Sequence, residues 1–127
     1  MKKYSNKSLA KRKEERKCLP DFFSRHIEIA KNTRCEECGD KLVGNASEIA
    51  HVLPKGFFKS IMCNDLNVLY LCGLYSKNNC HFKLDNASIK EVKEMAVYPK
   101  IQNIFQELEL QIEEKINYKH YELYGLN

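Results

Sequence analysis

Apolar residues in this chain come in short clusters divided by polar punctuation, and the spacing inside each cluster predicts an element. Residues 1–18 are polar and basic, and Pro20 and Asp21 then break the chain. Asp21 is a suitable N-cap for a helix from Phe22 to Lys31, with Phe22, Phe23, His26, Ile27 and Ala30 on its apolar side. Leu42-Val43 and Glu48-Ile49-Ala50-His51-Val52 read as two short strands joined by Gly44-Asn45 and ended by Pro54-Lys55-Gly56. Residues 56–66 form a loop with a helical turn around Phe57-Phe58-Lys59, and Asn67 to Cys72 is apolar and short, a further extended segment. After a polar loop from Gly73 to Asn79, Cys80 to Asn86 opens a helix. Ser88-Ile89-Lys90-Glu91 has the spacing of a capping box and starts another, to about Val97. Pro99 suits the first turn of a final helix, along which Ile101, Ile104, Phe105, Leu108, Ile112 and Ile116 recur at helical spacing.

These elements predict a small α+β fold. At 127 residues the chain fits one domain. Its parts are a basic arm over 1–18, flexible or helical only on a partner, a core over 19–98, and a C-terminal helix over 99–127 packing on that core. The alternative use of the last apolar stripe is a homodimer contact. No apolar run approaches the roughly 20 residues of a membrane span, and there is no internal repeat.

Charge changes the picture at one end. Residues 1–17 carry eight Lys or Arg against two Glu, a surplus of six. The whole chain has a net charge of +4, so the other 110 residues carry a deficit of two. A basic arm on a near-neutral body suits a phosphate-bearing partner. The first residues, Met1-Lys2-Lys3-Tyr4-Ser5, lead into more charge and not into an apolar signal, so the expected compartment is the cytoplasm. Thiols stay reduced there, so the six cysteines predict metal ligation over a disulfide framework.

The spacing Cys35-Glu36-Glu37-Cys38-Gly39 forms a tight knuckle whose backbone N–H groups face two thiolates. Closing a tetrahedral zinc site takes two more ligands. Cys72 and Cys80 are the natural pair, although their seven-residue spacer exceeds the usual of about two to four. Cys63 is an alternative to either, and His81 would give a Cys₃His site. His81 and Asp85 are four apart, so on a helix they share a face and can hold one ion. An imidazole with a carboxylate suits Mg²⁺ or Mn²⁺ and tolerates Zn²⁺ or Ni²⁺. His51 ends the second expected strand.

The order Cys35-x-x-Cys38, Glu48-x-x-His51, Asn67, Cys72, Cys80-His81 and Asp85 resembles the HNH (His-Me finger, ββα-metal) endonuclease motif, over about 50 of the 127 residues. The resemblance is to compact members of the family, common in phages, that carry a cysteine zinc site. It implies a ββα-metal finger flanked by N- and C-terminal helices, and metal-dependent hydrolysis of DNA phosphodiester bonds in phage or mobile-element DNA processing. It further implies His51 as general base, Asn67 holding the loop that aims it, His81 and Asp85 on the catalytic metal, and a purely structural zinc on Cys35, Cys38, Cys72 and Cys80. Where many members place an acid or histidine ahead of the base, this chain has Ala50; Glu48, two residues before, would share its face and either reach the metal or support the fold. The rival readings are a non-catalytic zinc finger that binds nucleic acid, and an adaptor working through its C-terminal helix.

Overall fold

A computed structural model describes residues 6–125. Helices α1 (Asn6–Glu15) and α2 (Leu19–Ala30) come first. The strands β1 (Ile49–Ala50) and β2 (Leu69–Tyr70) follow, then α3 (Cys80–Asn86), α4 (Ile89–Glu94), α5 (Tyr98–Leu108) and α6 (Tyr118–Tyr124). The result is a small α+β fold. No helix among the described residues is long and apolar enough to cross a membrane.

Helix α2 starts earlier than its punctuation suggested. Leu19 is buried and Pro20 sits in the first turn, where its missing N–H costs nothing, so Asp21 lies inside the helix and pairs with Arg25 instead of capping. The buried side is Leu19, Phe22, His26 and Ala30. The arm expected over 1–18 is helical from Asn6 to Glu15, and residues 1–5 lie outside the described residues. It is tied down at its end: Glu15 meets Lys59 at 3.2 Å, and Cys18 is disulfide-bonded to Cys63. That bond corrects the expectation of reduced thiols throughout, and it removes Cys63 from the candidate zinc ligands. The two cysteines are 45 residues apart, and nothing local marks them as partners.

The expected hairpin across Gly44-Asn45 does not form. Leu42 N–H bonds back to Thr33, and Arg34 bridges Lys41, so the knuckle closes on itself. The buried Glu48 carboxylate then accepts N–H groups from Val43, Gly44 and Asn45 at 2.6–3.0 Å, curling this stretch around one side chain. Residues 46–48 form a short 3₁₀ turn. Glu48 is therefore a fold-supporting residue with its carboxylate turned to the loop, and not a partner for a metal beside His51. The partner of β1 is β2, antiparallel, with Ile49 opposite Tyr70 and Ala50 opposite Leu69.

The long C-terminal helix also breaks. Ile101, Ile104, Phe105 and Leu108 are buried along α5, but the helix ends at Leu108 and Ile112 is extended. Asn117 caps α6 by accepting the N–H groups of Lys119 and His120. Helix α6 folds back so that Tyr124 stacks on Phe105 at 5.6 Å and Tyr98 Oη donates to Leu123 O. A continuous helix through Ile116 would carry Tyr124 away from this core. Phe22, Leu53, Leu69, Val92, Phe105 and Tyr124 belong to one apolar cluster.

Candidate functional site

The knuckle, the end of β2 and the start of α3 converge on four sulfurs. Cys35, Cys38, Cys72 and Cys80 place their Sγ atoms all within 4.8 Å of one another. Gly39 takes φ +83°, which lets its N–H return to Cys35 O. Cys38 N–H points at Cys35 Sγ and Cys80 N–H at Cys72 Sγ. Thiolates around one zinc at roughly 2.3 Å lie roughly 3.8 Å apart in a tetrahedron; Cys38 and Cys72 are 3.7 Å apart. Burial, with the three neighbouring thiols, pushes the Cys80 thiol far above its ordinary value. Such a set ionises together only around a cation, so four cysteines close together here could hold a metal such as zinc. His81 is not among them: its ring faces away, to Ser47 and Asp85.

A separate cleft of about 590 Å³ has Phe23, His51, Lys55, His81 and Asp85 on its walls. His51 follows β1, half-buried, its ring stacked on Phe22 at 5.1 Å and edged by Phe23 at 5.9 Å. Its Nε2 lies 2.7 Å from Met62 O. A carbonyl only accepts, so Nε2 carries the hydrogen and the lone pair of neutral His51 is on Nδ1. Burial lowers the pKa of His51, the Met62 carbonyl opposes this, and Lys55, His81 and His26 lower it further.

Asn67 is fully buried and bolts the loop after β1 in place. Its Oδ1 accepts Leu53 N–H at 2.7 Å, and its Nδ2 donates to Leu53 O at 3.1 Å and Ile61 O at 3.4 Å. One side chain thus joins the segment behind His51 to the turn before Met62. His81, on the first turn of α3, donates from Nδ1 to Ser47 O at 2.6 Å, which leaves the lone pair on Nε2. That Nε2 is 3.4 Å from Asp85 Oδ2, a separation that one divalent ion at roughly 2.0–2.2 Å from each atom would fit. Ser47 is itself held close: a Cβ added at Gly73 would come within 2.8 Å of its carbonyl oxygen.

Ala50 is buried without exposure. Among the described residues, the four cysteines are the one group of three or more Cys, His, Asp or Glu placed to share an ion, so His81 and Asp85 stand as a pair. His26, expected on the apolar side of its helix, is buried between Tyr70 Oη at 2.7 Å and Asp65 at 2.9 Å. Three parts of the site escaped sequence reasoning: the carbonyls of Met62 and Ser47, which any residue could supply, and Lys55, whose only signal is its place four residues after His51.

Comparison with known protein families, curated proteins and solved structures finds no match to this chain.

Proposed function

We propose that this chain is a metal-dependent endonuclease that nicks DNA by hydrolysing phosphodiester bonds, with a cysteine-held zinc bracing a ββα finger made of β1, β2 and α3. The observation that carries the reading is the pair of complementary histidines on one cleft. His51 presents Nδ1 and His81 presents Nε2, each with its other nitrogen bonded to a backbone carbonyl. Fixing two tautomers this way serves proton transfer at one ring and metal ligation at the other.

In this reading His51 Nδ1 takes a proton from water as the oxygen attacks phosphorus, and a neutral imidazole near neutral pH is suited to that. Asn67 keeps the base aimed by holding Leu53 and Ile61 together. His81 and Asp85 would hold a divalent ion, which would supply positive charge for the phosphorane-like transition state and the departing 3′ oxygen. Exposed Lys11, Lys13 and Lys17 along and after α1 give the DNA backbone a sequence-independent hold.

Supercoiled plasmid incubated with Mg²⁺ or Mn²⁺ tests the proposal. Wild type yields nicked circles, and His51→Ala loses on the order of 10²–10⁴ in rate. Wild type that leaves duplex, branched and single-stranded DNA intact with every metal sinks it. Metal analysis of unchelated protein tests the brace separately, with one zinc per chain expected.

A further inference from the structure

Half-buried in the same cleft is an ammonium that the proposed chemistry has not used. Lys55 follows Pro54 at the end of the segment bolted by Asn67, and among the described residues lining the cleft it is the one Lys or Arg. Its Nζ sits 5.2 Å from the centre of the Phe23 ring, the same ring whose edge packs on His51. Phe23 therefore contacts the base and the cation together, edge-on to the His51 ring and by cation–π attraction to Lys55.

What Lys55 lacks is a counter-ion. Among the described residues no carboxylate lies within ion-pair distance of its Nζ. Burial lowers its pKa, the nearby Arg16 adds to that, and Asp85 only partly opposes both. A partly desolvated cation without a partner costs free energy that an arriving anion recovers.

We infer that Lys55 is the phosphate-binding residue of the cleft, holding a non-bridging oxygen of the scissile phosphodiester between the base and the His81–Asp85 pair. This rests on the endonuclease reading and deepens it. Attack on phosphorus adds negative charge to the equatorial oxygens, and a fixed ammonium stabilises that charge more than it stabilises the ground state. The position before the base, Ala50, offers no metal ligand, so Lys55 supplies positive charge where the metal pair is sparse.

Two measurements test this. Single-turnover nicking of supercoiled plasmid at saturating Mn²⁺ compares wild type, Lys55→Met and Lys55→Arg, with Lys55→Gln as a second neutral variant if the first unfolds early. The neutral variant loses roughly a hundredfold in rate, and Lys55→Arg regains most of it, because a merely structural lysine would gain nothing from a retained charge. Separately, fluorescence anisotropy of a short labelled duplex over a salt series compares His51→Ala with His51→Ala/Lys55→Met. Loss of one phosphate contact reduces the slope of log affinity against log salt by about one. A neutral variant as fast as wild type, or Lys55→Arg as slow as Lys55→Met, overturns the inference. If wild type nicks nothing while the slope still falls, the endonuclease reading fails and the phosphate contact stands. If wild type nicks and neither rate nor slope responds to Lys55, the reading stands and Lys55 is excluded. No nicking and an unchanged slope would remove both.

Discussion

At His51, burial and the Met62 carbonyl act in opposite directions, and burial is the larger. The folded protein therefore holds a histidine whose pKa lies below its ordinary 6.5. The sign follows directly. Neutral His51 dominates at pH 7, and if it is the base proposed above, the nicking rate should fall only as pH drops through the lowered value. Stability follows the same rule: the contribution of neutral His51 is fully present above 6.5 and is lost as pH falls through the folded pKa. A pH–rate profile checks this, and an acid limb centred above 6.5 would contradict it. Asn67 makes a prediction of a different kind. Its amide satisfies Leu53 on both backbone groups in a site without water access. Asn67→Ala leaves Leu53 N–H buried and unpaired, a loss of about 2–3 kcal/mol, and frees the loop behind His51. Both the unfolding temperature and the nicking rate should fall. A variant as stable as wild type would mean that the Asn67 bonds do not hold the loop.

The loop from Gly56 to Leu66 is the element on which the orientation of His51, the proposed base, depends, since it carries Met62. Parts of the chain distant in sequence hold it. Glu15 reaches Lys59, Cys18 is joined to Cys63, Glu114 accepts from Ser60 N–H at 3.1 Å, and Asn64 Nδ2 donates to Gln111 at 3.1 Å. Ser60 Oγ also accepts Glu113 N–H at 3.0 Å. Ser60→Ala removes exposed hydrogen bonds only, so its stability cost is about 0.5–1 kcal/mol. Because those bonds steady the loop that orients His51, nicking should slow several-fold through kcat with KM little changed. An unaltered kcat would show the clamp to be idle. These ties also explain what the sequence could reveal. The Ser88–Glu91 capping box, Pro99 at the start of α5 and the knuckle glycine were legible because each acts over a few residues, whereas Asn67 stood out only through an order of residues that resembles a known motif. The break after Leu108 was not. Ile112 and Ile116 keep helical spacing and stay half-buried, and only the distant partners at Ser60 and Phe105 decide that the chain turns there. The false hairpin at Gly44-Asn45 has the same origin: a turn signal was present, but one buried carboxylate claimed the N–H groups a strand would have used.

Across the whole molecule, two links of different chemistry hold the halves of the cleft. The cysteine cluster joins the knuckle to β2 and α3, and so fixes His81 and Asp85 relative to the sheet. The Cys18–Cys63 bond ties the region of α1 to the loop beneath His51. With zinc bound, the first link would be worth on the order of 10 kcal/mol, comparable with the roughly 5–15 kcal/mol that keeps any domain folded. One apolar cluster runs from Phe22 to Tyr124, so the effect of removing a metal held there should spread beyond the cysteine cluster. The two links can be cut independently. A high-affinity zinc chelator leaves a disulfide intact, whereas a dithiol transfers its two hydrogens to Cys18 and Cys63, is itself oxidised, and at modest concentration would leave a zinc held by the four cysteines in place. Chelation should lower the unfolding temperature steeply and abolish nicking even with Mg²⁺ in excess, because His81 and Asp85 lose their platform. Reduction should lower the temperature far less and slow nicking through the loop, while the zinc count stays at one. Thermal unfolding and metal analysis on the same samples read both effects. A chelated protein shown to be zinc-free, yet melting where the native protein melts, would contradict the brace. The reduction result would still stand as the measure of the second link.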